Sequence, residues 1–216
     1  MTPVRILIAD DHEVVRRGIA AQISQHPDWQ VVAEATNGRD AVTLALDLKP
    51  DLIVLDLTMP ELNGLAAASR ILASWPEARI VILTVHESEQ LVREVLAAGA
   101  RGYVLKSDAG RILMAALETL LEDGSFFTPK FGRMVLDGYL RNPATAEEPG
   151  AAALSVRERE IVQLLAEGKS NKEVAAALGI TVKTAETHRG NIMRKGGFGS
   201  LAELVRYAIR NRIIEP

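Results

Sequence analysis

The sequence predicts two domains: an α/β domain built on a doubly wound, five-stranded parallel sheet, and a smaller all-α domain with a helix-turn-helix. Three observations lead to this prediction. The chain has 216 residues, which is too many for one ordinary hydrophobic core and enough for two. Short aliphatic runs alternate with helix-period segments over the first 123 residues, and the pattern becomes wholly helical from Leu154. We expect domains at residues 1–125 and 151–216, joined by a linker at 126–150.

The predicted strands are short runs of β-branched and aliphatic residues, typical of a buried parallel sheet. They lie at residues 4–9, 31–35, 52–55, 80–84 and 102–105. Apolar residues that recur every three or four positions predict helices at 14–23, 40–48, 65–74, 90–98 and 112–121. Gly124 is expected to end the last helix. Because crossovers between parallel strands are right-handed, the carboxyl ends of all five strands share one edge of the sheet.

The linker is predicted from residues 142–153, which hold two prolines, one glycine and many alanines without periodicity. Four aromatic residues precede this stretch and can pack on either domain: Phe126, Phe127, Phe131 and Tyr139.

The second domain begins with helix-start signals. Three S-x-x-E capping boxes mark three helix starts, at Ser155 with Glu158, Ser170 with Glu173 and Ser200 with Glu203. A fourth helix is expected after Thr181, since Gly179 can take the left-handed conformation that stops the preceding helix. Four short helices with a glycine-containing turn between the second and third form a helix-turn-helix.

Composition excludes several classes of protein. Cysteine is absent, which rules out disulfides and thiol catalysis, and the four histidines have no ligand spacing. No apolar run approaches the roughly 20 residues that cross a bilayer, and no signal peptide opens the chain, so we expect a cytoplasmic protein without a membrane partner. Residues 1–150 hold 14 Lys+Arg against 21 Asp+Glu, a net charge of −7, while residues 151–216 hold 11 against 7, a net charge of +4. The basic end is the half suited to a polyanion.

Polar residues lie where four of the predicted strands end. Asp10 and Asp11 follow the first strand, Asp56 the third, Thr84 the fourth and Lys106 the fifth. Clustered carboxylates in a partly desolvated cleft need a cation, and oxygen ligands with open positions suit Mg²⁺. A metal, a hydroxyl and an ammonium are the requirements of phosphoryl transfer, and Asp56 is the natural nucleophile because a carboxylate forms an acyl phosphate.

These residues, taken in order with the segment Asp56-Leu57-Thr58-Met59-Pro60, resemble the receiver domain of two-component response regulators, whose fold is flavodoxin-like, over about residues 3–125. The resemblance implies that Asp56 accepts a phosphoryl group from a sensor histidine kinase. It also implies that Asp11, Asp56 and the backbone carbonyl of Thr58 ligate Mg²⁺, that Asp10 helps through water or hydrogen bonds, and that Lys106 and Thr84 hold the phosphoryl oxygens.

The resemblance places a rotameric aromatic switch at Tyr103, where the alternative is a core residue at the sheet edge. Two departures accompany it: Ser107 stands where many receivers have proline, and Val85 stands where several have a smaller residue. Neither removes a reactive group. His86 can influence hydrolysis of the acyl phosphate, although a surface histidine is the simpler interpretation.

Residues 154–210 resemble the LuxR-type DNA-binding domain, and a receiver followed by this module is the layout of the NarL/FixJ family. In the third helix of this domain, Val182, Ala185 and Ile192 are expected to pack inward, which leaves the opposite face free to enter a major groove of double-stranded DNA. By resemblance, the base-reading positions are Glu186, Thr187 and Gly190, with Asn191 on the same face. Phosphate contacts are expected from Lys172, Lys183, Thr184, His188, Arg189, Arg194 and Lys195.

Departures occur here as well. Ala185 stands where valine is usual, Gly196 where leucine is common, and Gly190 lies inside the recognition helix, where glycine costs about 1 kcal/mol relative to alanine. We expect these residues to thin the core beneath that helix. The last helix has more apolar surface than three small helices readily cover, which fits either a two-fold dimer contact or core packing.

We therefore predict a transcription regulator, not an enzyme, that is controlled by phosphorylation and dephosphorylates itself. It is expected to be a homodimer on DNA or when phosphorylated, with RNA polymerase as a further candidate partner. Two alternatives stay open. A phosphatase of the haloacid-dehalogenase type also forms an aspartyl phosphate, but it requires a second acidic residue two positions after the nucleophile, where this sequence has Thr58. A DNA-binding protein independent of phosphorylation would carry a degenerate receiver.

Overall fold

The computed structural model describes residues 2–85, 89–128, 154–211 and 213–214. The chain forms two compact units. The first contains six strands, β1 (Val4–Ala9), β2 (Trp29–Ala35), β3 (Leu52–Asp56), β4 (Ile80–Thr84), β5 (Gly102–Leu105) and β6 (Phe126–Phe127). Its helices are α1 (Glu13–Ile23), α2 (Gly38–Leu48), α3 (Gly64–Ser74), α4 (Glu89–Ala97) and α5 (Lys106–Leu121).

The sheet has the order β2-β1-β3-β4-β5-β6, and every neighbouring pair is parallel. The predicted α/β fold class is therefore confirmed, with one more strand than the five expected. The extra strand is two residues long, since Phe126 and Phe127 pair with Gly102 and Tyr103 of β5. Residues 129–150 of the predicted 126–150 linker, which include Phe131 and Tyr139, lie outside the described residues.

The centre of the sheet is its most apolar part. All five residues of β3 and of β4 are buried, as expected for strands covered by helices on both faces. One large apolar cluster joins β1, β3 and β4 to α1 and α5, with Ile8, Val54, Leu83 and Leu113 among its buried members. This buried centre sets the positions at which the strands end.

The last helix of the first unit ends at the predicted residue, Leu121, but it starts earlier than predicted and a different residue takes the left-handed conformation after it. It begins at Lys106, six residues before the expected start, and follows β5 without a loop, with Leu105 in the N-cap position but no side-chain capping hydrogen bond. At its end Asp123, with φ 58°, takes the left-handed conformation expected of Gly124. Gly124 is needed for a different reason: its N–H donates to the carbonyl of Thr119 at 2.9 Å, and a Cβ would lie 2.7 Å from the Thr119 methyl.

The second unit is all-helical, with α6 (Val156–Ala166), α7 (Asn171–Leu178), α8 (Val182–Lys195) and α9 (Leu201–Arg210). Ser155 and Ser170 form the two complete capping boxes predicted for them. Ser200 caps α9, but Glu203 accepts from the N–H of Gly199 at 2.7 Å, so the third box is incomplete.

The turn between α7 and α8 is as predicted. Gly179 has φ 63° and ends α7, and the Thr181 hydroxyl accepts the Thr184 N–H at the start of α8. These two helices form the helix-turn-helix, and a separate apolar cluster holds the unit together. Within the described part of the chain, no helix is long and apolar enough to cross a bilayer.

Candidate functional site

Three carboxylates meet at the edge of the sheet where β1 and β3 end. Asp10 follows β1 and is fully buried, Asp56 is the last residue of β3 and is 3% exposed, and Asp11 is exposed. The ammonium of Lys106 bridges the two buried groups, with Nζ 2.8 Å from Asp56 Oδ2 and 2.9 Å from Asp10 Oδ2. The structure thus brings together the carboxylates and the lysine that the sequence predicted.

The pocket shifts the titration of its members. Burial and the neighbouring Asp10 carboxylate raise the pKa of Asp56 to about 7, although Lys106 opposes the shift. Burial lowers the pKa of Lys106, but the attraction of Asp56 and Asp10 outweighs burial and the net pKa is raised. Lys106 therefore stays positively charged, whereas burial and the neighbouring Asp10 disfavour the charged form of Asp56.

Thr84 and Tyr103 lie on the two strands beyond β3. Thr84 is the last residue of β4 and is 1% exposed, one position beyond Leu83, which pairs with Asp56. Tyr103 is fully buried in β5 between β4 and β6, so it is a core residue but not one at a sheet edge. Val85 is exposed, and His86 lies outside the described residues. The switch role of Tyr103 stays a prediction.

Sequence reasoning missed Gly64, which shapes the loop after β3. A Cβ added there would overlap the carbonyl oxygen of Asp56, and the Gly64 N–H donates to the Leu57 carbonyl at 2.8 Å. The half-buried Thr58, whose carbonyl was predicted as a metal ligand, lies in this loop, and Asn63 closes it by capping α3. The signal available in the sequence was a lone glycine after Asn63, at a predicted helix start.

Sequence reasoning also missed His12. Its Nδ1 lies 2.8 Å from Asp11 Oδ1 and 3.4 Å from Asp10 Oδ1, and its side chain is 51% exposed. One ligand atom from each of Asp10, Asp11, His12 and Asp56 lies within 4.8 Å of the others. We expected the histidines to have no ligand spacing, but the fold brings one of them to the carboxylates through the loop after β1.

In the helical unit, α8 presents the predicted outward face. The predicted DNA-contact residues of α8 that are exposed are Lys183, Thr184, Glu186, Thr187, Gly190, Asn191, Arg194 and Lys195, while His188 and Arg189 are half-buried and Lys172 of α7 is exposed. Ala185 and Ile192 are buried as predicted. Val182 was predicted to face inward and is 42% exposed, because it is the first residue of α8 and precedes the part of the helix that packs on the core.

Several side chains on this face already have partners. Arg194 donates to Asn191 at 3.0 Å, and the Lys195 ammonium lies 2.7 Å from Glu158 Oε2. The Thr187 hydroxyl donates to the Lys183 carbonyl. Lys183 and Glu186 are 4.0 Å apart, which keeps opposite charges side by side on the exposed surface.

The core beneath α8 is not thinned at Gly196 as expected. The Phe198 ring occupies the space that a side chain at Gly196 would fill, and it packs against Tyr207 with ring centroids 4.9 Å apart. On α9, Leu204 and Ala208 are buried, whereas Leu201 is 39% exposed. Part of the apolar surface of α9 is therefore used within the unit and part is left outside it.

Comparison with known families agrees with both halves of this description. Residues 6–118 match the response regulator receiver domain, and residues 152–208 match the bacterial regulatory proteins of the luxR family. The chain belongs to the NarL/FixJ family of response regulators. It is a DNA-binding transcriptional response regulator by this membership, and the haloacid-dehalogenase alternative loses its basis.

Individual relatives extend over the whole chain. The oxygen regulatory protein NreC of Staphylococcus aureus is 38% identical over 217 residues, covering 98% of this chain and all of NreC. The Salmonella typhimurium response regulator RcsB is 27% identical with a TM-score of 0.65, covering 96% of this chain and 97% of that one. An RcsB–DNA complex is 26% identical with a TM-score of 0.59, covering 95% and 98%.

Proposed function

We propose that this response regulator accepts a phosphoryl group on Asp56 from a sensor histidine kinase and then binds DNA as a dimer. The observation that carries the proposal is the placement of Asp56 at a strand end, 2.8 Å from Lys106 and beside Asp10 and Asp11. We propose a cytoplasmic location, where both the kinase's phosphorylated histidine and the DNA are reached.

The donor set fits Mg²⁺. Three carboxylates face one ammonium, so the cluster keeps excess negative charge, and hard oxygen ligands select a hard divalent ion. Asp11, Asp56 and the Thr58 carbonyl would hold the ion, with Asp10 acting through water or a hydrogen bond. When bound, Mg²⁺ supplies neutralisation of the charge on the phosphoryl oxygens.

The residues of the chain have separate tasks in the transfer. An Asp56 carboxylate oxygen forms a bond to phosphorus while the bond from phosphorus to the kinase histidine nitrogen breaks, and that nitrogen keeps the electron pair. The Lys106 ammonium, which already lies beside Asp56, moves to the oxygens of the transferred phosphoryl group and neutralises their charge. Thr84 lies one position beyond Leu83, the residue paired with Asp56. Its hydroxyl holds a second oxygen of the phosphoryl group, and its movement toward that oxygen transmits the effect of phosphorylation to Tyr103 on the neighbouring strand β5.

In the helical unit, α8 would enter the major groove with its exposed face. Glu186 can accept from a cytosine amino group and Thr187 can contact a thymine methyl, since both are exposed and lie near Gly190 on the helix surface. The basic residues of α7 and α8 would contact phosphates. The RcsB–DNA complex, which this chain resembles over 95% of its length, supports DNA as the partner.

The phosphoryl step is tested with acetyl phosphate and Mg²⁺, following the mass of the intact chain. We expect one phosphoryl group on the parent protein and none on Asp56→Asn. The matched control is Asp51→Asn, which removes an exposed carboxylate five residues away that accepts the Arg5 N–H. Equal uptake by the parent and Asp56→Asn would overturn the assignment of Asp56.

A further inference from the structure

Arg16 of α1 reaches back to the residue that follows β1. Its Nη1 donates to the backbone carbonyl of Asp10 at 2.9 Å, and its Nε donates to Glu34 Oε2 at 2.8 Å. The Arg16 side chain is 13% exposed, so its guanidinium is largely removed from water. Because a charge withdrawn from water needs good partners, these two contacts keep the arginine in place.

The two contacts tie the ends of two strands together. A guanidinium is planar and rigid, and its Nε–H and Nη1–H point to different edges, so Arg16 spans two separate acceptors as one unit. Glu34 lies near the end of β2, and Asp10 follows β1. The Asp10 N–H donates to the Ala35 carbonyl at 3.1 Å. With its N–H and its carbonyl both bonded, the Asp10 backbone has little freedom to shift.

The fixed backbone matters because of what the Asp10 carboxylate contacts. Asp10 is fully buried, its Oδ1 accepts the His12 N–H at 2.8 Å, and its Oδ2 lies 2.9 Å from Lys106 Nζ. Contacts of this length are lost when a partner moves by several tenths of an ångström. Since Lys106 Nζ also lies 2.8 Å from Asp56, a displaced Asp10 would change where the ammonium stands beside Asp56.

We propose that Arg16 is a positioning residue for phosphoryl uptake, held in turn by Glu34. Through the Asp10 carbonyl it fixes the buried carboxylate that keeps Lys106 beside Asp56. The inference rests on the proposed function in that Asp56 is the acceptor. Arg16 acts through Asp10 and not by contact with the phosphoryl group, so a residue of α1 sets the rate of a reaction at the end of β3.

The test is the initial rate of phosphoryl uptake from acetyl phosphate in excess Mg²⁺, followed by the mass of the intact chain. Arg16→Met keeps the length and apolar packing of the side chain and removes both donors. Because a displacement of 1 Å can cost about a hundredfold, we expect the maximal rate to fall about tenfold, with the half-saturating acetyl phosphate concentration within about twofold of the parent. Arg17→Met is the matched control, since Arg17 is 77% exposed and pairs with Glu13. It should react like the parent.

Two variants separate geometry from charge. Arg16→Lys keeps the charge, but a point donor cannot span both acceptors, so its rate should lie between those of the parent and Arg16→Met. Glu34→Ala removes one acceptor from a half-exposed position and leaves Arg16 in place, and it should slow uptake by about threefold. It tests the same contacts if Arg16→Met does not fold, which urea unfolding of each variant measures.

A double variant tests whether Arg16 works through Asp10. Residues that act through one another have effects that do not add. In the Asp10→Asn background, Arg16→Met should therefore slow uptake by less than about twofold. If the two losses multiply in full, or if Arg16→Lys or Arg16→Met reacts at the parent rate, the inference is overturned.

Amide hydrogen exchange separates this inference from the proposed function. The His12 N–H, bonded to the Asp10 carboxylate, should exchange at least about tenfold faster in Arg16→Met, whereas the Val4 N–H, bonded to the Asp28 carbonyl at the other end of β1, should not change. If Asp56→Asn takes up phosphate like the parent, the proposed function fails, and exchange at His12 still decides the inference. Unchanged exchange there in Arg16→Met would show that Asp10 is held without Arg16.

Discussion

In the acidic pocket, Asp10 and Asp56 are buried and Lys106 lies within 3 Å of both, whereas the centre of the outward face of α8 is exposed and partly paired with its own neighbours. The groups of the pocket lie at the ends of buried strands, which leave their side chains few alternative positions. The α8 face is held by a helix whose long side chains can still move. Changes in the pocket should therefore have large effects on stability and chemistry, and changes on the α8 face should have graded effects on binding.

The largest expected effect is a gain in stability from Asp56→Asn. With its pKa raised to about 7, folded Asp56 binds a proton more tightly than the unfolded chain, so its contribution to stability is present below about pH 4 and is lost as pH rises through 7. At about 1.4 kcal/mol for each pH unit, the cost above pH 7 is at most about 4 kcal/mol. Without metal at pH 8, Asp56→Asn should raise the free energy of unfolding by about 2–4 kcal/mol, and the gain should shrink toward pH 5.

Urea unfolding followed by tryptophan fluorescence measures this change, because Trp29 and Trp75 are the two tryptophans of the chain and both precede β4 in the first unit. Asp47→Asn is the control, since it removes an exposed carboxylate from α2. A gain of equal size in the control, or one that grows on acidification, would contradict the prediction.

A somewhat smaller effect is expected at Gly64. Gly64→Ala forces a Cβ onto the Asp56 carbonyl oxygen, which only a backbone shift can relieve, and should lower the free energy of unfolding by about 3 kcal/mol. Gly18→Ala, in an open position of α1, should instead stabilise the protein by about 0.5–1 kcal/mol. The same urea titrations measure both variants, and a neutral Gly64→Ala would show that the loop after β3 is less constrained than its contacts indicate.

The core of the helical unit offers an intermediate case. Phe198→Ala should cost about 2 kcal/mol, less than for a fully buried ring because Phe198 is half-buried. Gly196→Leu should destabilise the parent by colliding with the Phe198 ring, but partly restore the Phe198→Ala variant. Amide hydrogen exchange in α8 and α9 measures all three variants. If the effects of the two substitutions simply add in the double variant, then the side chain at residue 196 and the Phe198 ring do not compete for the same space.

The smallest effect separates two lysines of the DNA-binding unit. Lys172→Ala should lower the salt dependence of DNA binding by about one counterion. Lys195→Ala should change it less, since this ammonium already lies 2.7 Å from Glu158 and must give up that partner to reach a phosphate. Titration of labelled DNA at several salt concentrations compares them, and equal losses would show that the ion pair with Glu158 opens at no cost.

The sequence was sufficient where one physical rule dominates. Strands β1, β4 and β5 have the predicted bounds because aliphatic runs between helices leave little choice, and the right-handed crossover rule brought Asp10, Asp56 and Lys106 together. Capping motifs located α6 and α7 for the same reason, since a serine and a glutamate satisfy two backbone N–H groups locally.

The sequence was insufficient where a contact between distant residues decides. α5 begins at Lys106 instead of residue 112, and the Lys106 ammonium lies within 3 Å of Asp10 and Asp56, contacts with distant residues that periodicity does not describe. The packing at Gly196 depends on where the Phe198 ring settles, and Val182 is exposed because the core contacts of α8 begin one turn later. His12 entered the cluster only through the path of the loop after β1, which periodicity does not describe.

The strand order has a consequence for how the first domain is made. Among the strands of this sheet, β1 and β2 are made before the others, and they pair with each other. Each later strand, from β3 to β6, then adds to the same growing side in the order of synthesis. Among the six described strands, none has to be inserted between two others that already pair, so the nascent chain can extend its sheet one crossover at a time during translation.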